Sequence, residues 1–392
     1  MATIEPTAGR RAERRDERRD EEPGEPRGER RAAPPDPLAE ELERLARRVR
    51  AELGDDDLRH IRRVARASKL CGRLGRLLIV TSLEPAGFLA GVLALAAHKV
   101  LEAVEIGHSV LHGAYDELDP KGRFHSDKFA WEMPIDERAW HRTHNLRHHP
   151  NTNVVGRDAD VALGFVRLAA ESPHRPLCYA QLPALLFGGL PNFALLMQMQ
   201  FSGVFDLFFD NGLPSRFNYL PDRSPRTALR TLAGALKKPA RYYGKNYLLY
   251  PLLAGPLAGK LVVGTWLAER LRDVWVGLII LCGHTGPDAV AYPEGTRAKS
   301  KGQYYRMQIE ATNNFEVPAA LSLFAGALDR QIEHHLFPDL PPNRVREIAP
   351  EVRRICERHG VRYHSAGLAR AVLRSLAHVA ALSLPARPAA AR

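Results

Sequence analysis

Histidine is the residue type whose positions suggest chemistry in this chain of 392 residues. Eight of the sixteen histidines lie in three short segments and at the end of one apolar stretch. These eight are His108, His112, His144, His148, His149, His284, His334 and His335. Imidazole nitrogen binds iron, zinc, copper and nickel alike, so the clustering predicts a metal site without identifying the metal.

The spacing of the histidines indicates more than one metal ion. His108 and His112 are four residues apart, which on an α-helix places both rings on one face, one turn apart. His144 and His148 share a face in the same way, and His149 is rotated by about 100° from its neighbour. Eight nitrogen ligands exceed the three or four that one zinc ion takes, so we expect two ions with about four nitrogens each.

Acidic residues close to these segments could accept the second ring N–H of a ligand histidine and so fix its tautomer. We expect this of some of them, and for any single acid we favour a solvated surface position. The candidates are Glu105, Asp116, Glu117, Asp158, Asp160, Glu333 and Asp339. We interpret the other eight histidines as ordinary residues: His60, His98, His125, His141, His174, His359, His364 and His378.

Other kinds of chemistry find little support in the sequence. The four cysteines Cys71, Cys178, Cys282 and Cys356 are far apart, which excludes a disulfide scaffold, a zinc ribbon and a four-cysteine iron–sulfur cluster. No Ser-His-Asp arrangement, dinucleotide fingerprint or glycine-rich phosphate loop is present. We also predict no nucleic-acid partner.

The elements that must position the histidines are apolar helices. Leu74–Gly107 is broken at Glu84-Pro85, which predicts a long helix from about Pro85 to beyond His108. A membrane span needs roughly 20 apolar residues, and the second half of this stretch is mixed. It can cross a membrane only if its charged end faces protein or a polar cavity.

Two further apolar zones follow, and the basic segment between them suggests an orientation. Arg216–Lys245 contains eight Lys or Arg and one acid, an excess that favours the cytoplasmic side. If the histidines are cytoplasmic too, Gln181–Phe209 should lie along the interface or re-enter. Tyr247–His284, two apolar halves separated by charged residues 269–273, should then form a helical hairpin. The predicted class is an α-helical membrane protein without strands.

Three motifs resemble the histidine boxes of the membrane fatty-acid desaturase family. Glu105-Ile-Gly-His-Ser-Val-Leu-His112-Gly is similar to the first box, and His144–His149 with Pro-Asn-Thr-Asn to the second. Gln331-Ile-Glu-His-His-Leu-Phe-Pro338 resembles the branch whose third box has Gln in place of His. The resemblance covers about residues 58–367 and is strongest to bacterial acyl-lipid or acyl-CoA desaturases.

The resemblance implies an all-α integral membrane bundle of about four transmembrane helices, with a cytosolic helical cap that holds two irons. The eight histidines match the family's ligand positions, His284 being the one after the last span. Gln331 replaces a ligand histidine, and Asn314 lies where the family often has a polar residue near the site. Family members use dioxygen and two electrons to remove two hydrogens from adjacent methylenes of a fatty acyl chain.

The resemblance also implies partners and a location. The substrate would be a fatty acyl group on CoA, a lipid or acyl carrier protein. Because the sequence has no His-Pro-Gly-Gly haem motif, we expect electrons from a separate ferredoxin, cytochrome or reductase. The protein would be multi-pass in a bacterial inner membrane, with its site on the cytoplasmic side. A hydroxylase or acetylenase with the same irons, a membrane zinc hydrolase and a metal-binding protein without oxygen chemistry are the alternatives.

Four segments are predicted along the chain. Residues 1–37 should be a disordered charged tail, because they are too polar to form a core. Residues 38–72 form an amphipathic helical lead-in, with a basic surface that touches anionic lipid as the alternative. The desaturase-like membrane domain covers 73–367, and 368–392 is a C-terminal helix and tail.

Overall fold

The computed structural model describes residues 36–161, 166–208, 220 and 222–385, and they are mainly helical. The predicted tail lies outside these residues except for its last two, as do the last seven residues of the chain. The described helices of eleven or more residues are α1 (Pro37–Ala51), α2 (Asp55–Thr81), α3 (Pro85–Leu101), α4 (Pro225–Tyr243), α5 (Ala258–His284), α6 (Lys301–Ala311), α7 (Pro342–Arg358) and α8 (Leu368–Leu382).

Shorter elements connect these helices. The short α-helices are Ser109–Leu111, Glu137–Trp140, Gln181–Pro183, Phe193–Phe201, Val204–Phe208, Tyr250–Leu253, Ala319–Ala325 and Gln331–Leu336. The π-helices, which have a wider turn, are Glu102–His108, His141–His148, Ala184–Gly189 and Gly244–Leu249. The 3₁₀ turns are His149–Asn151, Pro176–Ala180, Leu190–Asn192, Gly255–Leu257 and Leu328–Arg330.

Two strands, β1 (Asn314–Glu316) and β2 (Ser365–Gly367), pair in parallel, with Phe315 opposite Ala366. The sequence predicts no strand. Each strand has three residues, too few for an alternating pattern of polar and apolar residues to be recognised. The pair joins β1, which precedes the third histidine segment, to the chain just before α8.

The lead-in α1 is an amphipathic helix whose apolar side is covered by protein. Leu38, Leu42, Leu45 and Val49 recur at helical spacing and are buried in one core with α6, α7 and Leu336. The Arg50 guanidinium pairs with Asp339 on the outside of this core, at 2.7 Å. The lead-in therefore packs next to the third histidine segment.

Helices α2 and α3 pack closely because small residues lie where they meet. A Cβ added to Gly75 would be 2.6 Å from the Leu95 backbone nitrogen, and one added to Gly91 would be 2.7 Å from the Ile79 nitrogen. Such close helix contacts through small residues are typical of membrane helices. Helix α3 begins where predicted, with Pro85 in its first turn and the Glu84 carboxylate accepting a bond from the Gly87 N–H at 2.8 Å.

The charged second half of the α3 run faces protein, as a span of this composition requires. Lys99, Glu102 and Glu105 are all buried. The run widens into a π-helix at Glu102–His108, where the Trp131 indole N–H donates to the Glu102 carbonyl at 2.9 Å. A Cβ on Gly107 would collide with the same indole, so glycine allows Trp131 to lie against the widened turn.

The expected hairpin at Tyr247–His284 is present, but its turn is not at the charged residues. The chain turns at Gly255–Leu257, and α5 continues without a break through residues 269–273. Glu269 is stabilised inside the protein by the Lys99 ammonium at 3.0 Å and the Tyr242 hydroxyl at 2.8 Å. Because its partners come from α3 and α4, the sequence of α5 alone makes these residues look like a break.

Two helical runs among the described residues are long and apolar enough to cross a membrane, Pro85–Leu111 and Pro176–Phe201. The resemblance implies about four spans, so two such runs are fewer than expected. Helix α5 is long enough to cross a membrane, but it contains too many charged residues to be counted. Pro176–Phe201 is one helical run through Pro183 and Pro191, and the interfacial or re-entrant path of Gln181–Phe209 stays a prediction.

Candidate metal centre

Helix ends from four parts of the chain bring the eight predicted histidines together. His108 ends the first π-helix, and His112 follows one turn later, with its N–H bonded to the His108 carbonyl at 3.1 Å. His144 and His148 lie on the second π-helix. In a π-helix, as in an α-helix, residues four apart lie on nearly the same face. His284 is the last residue of α5. His334 and His335 lie on Gln331–Leu336.

The first group of ring nitrogens consists of His108, His112, His144 and His334. One nitrogen from each lies within 4.8 Å of the others. The Nε2 atoms of His108 and His144 are 3.3 Å apart. Two ligands on opposite sides of an ion are about 4.2 Å apart when each bond is about 2.1 Å, so the group has nearly the size of one coordination sphere.

A second group consists of His148, His284 and His335, whose nitrogens also lie within 4.8 Å of one another. His149 lies between the two groups. Its Nε2 is 3.2 Å from His144, and its ring stacks on His335 with centroids 4.4 Å apart. His148 belongs to the second group, whereas its neighbour His149 contacts a member of each group.

The polar atoms of the cluster fit metal ions. The Nε2 atoms of His112, His148, His334 and His335 are buried and have no hydrogen-bond partner among the described residues. A buried polar atom without a partner costs about 1–3 kcal/mol, and a cation bound to it would remove that cost. Burial lowers the pKa of His149 and His335 well below the usual value, which favours the neutral imidazole that binds metals.

Asp158 and Asp160 are the predicted acids that do contact candidate ligands. Both Asp158 oxygens are 3.0 Å from His148 Nδ1, and Asp160 Oδ2 is 3.3 Å from His144 Nδ1. Burial lowers the pKa of His148, but the two carboxylates outweigh it and raise this pKa to about 9. Burial raises the pKa of Asp160 to about 7. A carboxylate at Nδ1 favours the tautomer whose Nε2 can bind a metal, and a bound cation would displace the second proton of His148.

The other predicted acids serve different purposes. Glu105 pairs with Arg346, and Asp116 accepts two bonds from Ser126 at 2.7 Å. Asp339 pairs with Arg50, and Glu117 is exposed. The expectation that some of the acids contact candidate ligands therefore applies to Asp158 and Asp160 and not to these four.

Glu333, Asn314 and Gln331 support the third segment. The Asn314 amide donates to Glu333 at 2.9 Å, and its oxygen accepts from the Ile332 N–H at 2.9 Å. Burial raises the pKa of Glu333 to about 7. The Gln331 amide nitrogen lies 2.6 Å from His284 Nε2, and its buried oxygen has no partner among the described residues. Asn314 therefore positions the helix, whereas Gln331 contacts a candidate ligand.

Three partners of the cluster are not among the sequence predictions. His335 Nδ1 lies 3.0 Å from the Thr152 hydroxyl and 3.1 Å from Gln308 Oε1. The Trp140 ring stacks on His144 with centroids 4.6 Å apart. Thr152 follows the second box within a few residues, which could have drawn attention to it. Gln308 lies on α6 in no recognisable motif.

An apolar cavity opens from one side of the cluster. His144, His148 and His284 are at its polar side. Aromatic and aliphatic side chains line the rest, including Trp131, Met133, Phe193, Leu196 and Ile280. Its volume of about 140 Å³ is close to that of a cavity that holds one benzene, so a long chain must displace lining side chains as it enters.

Comparison with known proteins identifies relatives over most of the chain. The family described as fatty acid desaturase matches residues 85–367. An NADPH-dependent stearoyl-CoA 9-desaturase of Mycobacterium tuberculosis is 32% identical over 355 residues, which are 89% of this chain and 80% of the relative. An sn-1 linoleoyl-lipid 6-desaturase of Synechocystis is 23% identical over 278 residues, 70% of this chain and 74% of the relative.

Proposed function

The chain belongs to the fatty acid desaturase family and is an oxidoreductase that forms double bonds in fatty acyl chains, and we propose that it does so at two irons held by the eight clustered histidines. The observation that carries the proposal is the cluster itself. Ring nitrogens from four separate segments form two adjacent groups beside an apolar cavity.

Eight nitrogens divide between the ions by position. His108, His112, His144 and His334 would hold one iron, and His148, His284 and His335 the other. His149 lies beside both groups and would complete one of them. Gln331 would keep His284 in place through its amide. The irons would activate dioxygen, which, with two electrons from a donor, is the oxidant that removes two hydrogens from the acyl chain and is itself reduced to water. Acid–base side chains cannot do this, because an alkyl C–H bond has no acidic proton.

The apolar cavity is the proposed site of the acyl chain. Its lining offers no polar group along most of its length, so a chain would be bound by burial, at about 0.8 kcal/mol for each methylene. Trp131 and Trp140 flank the cavity and keep water away from the histidines. The methylenes to be desaturated would be those beside His144 and His284.

Substrate and electron source follow from the relatives. By analogy with the mycobacterial relative, we propose a saturated acyl-CoA substrate and electrons that come from NADPH through a separate redox protein. The Synechocystis relative makes an acyl-lipid substrate the second candidate. We further propose that the protein is a membrane protein whose spans include Pro85–Leu111, with the histidines on the cytoplasmic side.

Expression in a host without its own desaturase tests the function. With stearate supplied, gas chromatography–mass spectrometry should show a new monounsaturated acid, and His148→Ala should abolish it. His141→Ala is the matched control, because His141 lies on the same π-helix but is exposed and outside the cluster. Equal product from His148→Ala and wild type would contradict the assignment of the ligands.

The same experiment decides between the remaining alternatives. A hydroxylated or acetylenic acid would favour a hydroxylase or acetylenase. Metal analysis of the purified protein should give about two irons, whereas one zinc would support a hydrolase.

A further inference from the structure

Helix α2 changes character along its length. Its first half carries the exposed cations Arg62, Arg66 and Lys69 on one side, at spacings of four and three residues. From Leu70 onward the exposed residues are mainly leucines. Leu70 and Leu77 are each 56% exposed, and Leu83, which follows the helix, is completely exposed. Contiguous exposed leucines mark a surface made for contact with an apolar phase.

A groove lies beside the basic half of α2. It has a volume of about 520 Å³ and is bounded by α2 and by residues 119–124. The described residues that line it are Arg62, Ala65, Arg66, Lys69, Asp119, Gly122, Arg123 and Phe124. Four cations and one acid leave three positive charges unbalanced in one concave site.

The single acid in this lining does little to neutralise the cations. Asp119 Oδ1 is 3.8 Å from the Arg62 guanidinium, and its other oxygen accepts the Phe124 N–H at 3.1 Å. The Arg123 guanidinium lies 4.8 Å from the centre of the Phe124 ring, which holds it over the groove. The groove is thus arranged for an anion with several oxygen atoms.

We propose that this groove binds the phosphate of an anionic membrane lipid, with the lipid chains lying along the exposed leucines of α2. On α2 the groove ends at Lys69, and the exposed leucines begin at Leu70. The anionic headgroup would therefore contact the cations, and the lipid chains would contact the leucines. The inference rests on the proposed membrane location but not on the redox chemistry. A flat basic face would suit an acidic protein; a concave site beside apolar surface suits a lipid.

The test uses the purified full-length protein in a zwitterionic detergent. Native mass spectrometry measures binding of a short-chain phosphatidylglycerol, and free CoA is titrated separately as the other source of phosphate. In the variant the three α2 cations Arg62, Arg66 and Lys69 are changed to Gln. Each Lys or Arg near an anionic lipid contributes about fivefold to binding, so we expect roughly a hundredfold loss of phosphatidylglycerol affinity.

The control removes the same charge elsewhere. Arg44, Arg47 and Arg354 are exposed cations on α1 and α7, and their triple change to Gln should leave lipid binding unchanged. Equal loss in both variants, or no loss in either, would overturn the proposal. Binding of CoA in place of the lipid, lost in the α2 variant, would assign the groove to a nucleotide instead. Fatty acid analysis tests the redox function separately, so failure here leaves that proposal intact.

Discussion

Replacing Asp158 with Asn should weaken iron binding while leaving the fold in place. The carboxylate of Asp158 is buried and accepts four contacts: two from His148 Nδ1, one from the Asn153 N–H and one from the Asp160 N–H. An amide of the same shape has a single acceptor atom. Its NH₂ group would face at least one donor, and His148 would lose its anionic partner.

The size of the effect follows from these contacts. Leaving one buried donor without its acceptor costs about 1–3 kcal/mol. Removing the acid that orients a ligand histidine lowers metal affinity by about 10–100-fold, which corresponds to about 1.4–2.7 kcal/mol. The first cost lowers the stability of the fold whether or not iron is bound, so the second sets the expected fall in iron affinity, one to two orders of magnitude.

Competition with a coloured iron chelator measures this affinity, and thermal melting of the same samples measures stability. Asp116→Asn is the matched control, because Asp116 also accepts bonds from a backbone N–H and a side chain but touches none of the eight histidines. Wild-type iron affinity in Asp158→Asn would refute the reasoning. So would an equal fall in Asp116→Asn.

Three further outcomes are expected. Gly277→Leu should shift the products, measured by gas chromatography, toward chains shorter than stearoyl by roughly tenfold. A Cβ at this lining position would be 2.8 Å from Leu190, so the larger side chain would take the space of about two buried methylenes of the acyl chain. An unchanged product profile would count against the cavity as the acyl site. Gly107→Ala should destabilise the protein by about 1–3 kcal/mol in thermal melts and lower its iron content, since its Cβ would collide with Trp131; wild-type melting would contradict this. Burial raises the pKa of Asp57, but hydrogen bonds from α7 outweigh it and lower this pKa below its usual value. Its stabilisation is therefore present above about pH 4 and is lost as the pH falls through the folded-state pKa, so melting temperatures of wild type and Asp57→Asn should differ at pH 7 and converge below pH 4.

Local spacing predicts which histidines of one segment share a face, whereas the resemblance implied that His284 joins the three boxes. The histidines four residues apart share a face on an α-helix or a π-helix, so the prediction for His144 and His148 does not depend on which helix forms. Asp158 follows His148 closely enough for the same kind of reasoning. Gln308 could not be found in this way, because it contacts Thr152 and His335 from a helix distant in sequence.

Long-range pairing also explains the errors in the fold. The charged residues of α5 look like a break until Lys99 and Tyr242 are placed beside them. The number of about four spans was implied by the resemblance and stays a prediction, since two runs among the described residues are long and apolar enough to cross a membrane. A sequence pattern describes one helix at a time, whereas the burial of the charged residues of α5 depends on side chains from other helices.

The π-helical turn at Glu102–His108 lets one continuous helical run pack against its neighbours in its first part and orient two histidines in its second part. A π-turn contains one residue more than the α-turn it replaces, which offsets everything after it by about 100° around the axis. The segment before the π-turn carries Lys99 and packs against α5, where Lys99 pairs with Glu269. The segment after the π-turn carries His108 and His112, and its rotation about the axis sets the direction of their imidazoles. Gain or loss of one amino acid in this turn would therefore redirect the imidazoles without disturbing the packing that precedes it, a simple route by which related enzymes could diverge in the geometry of their metals.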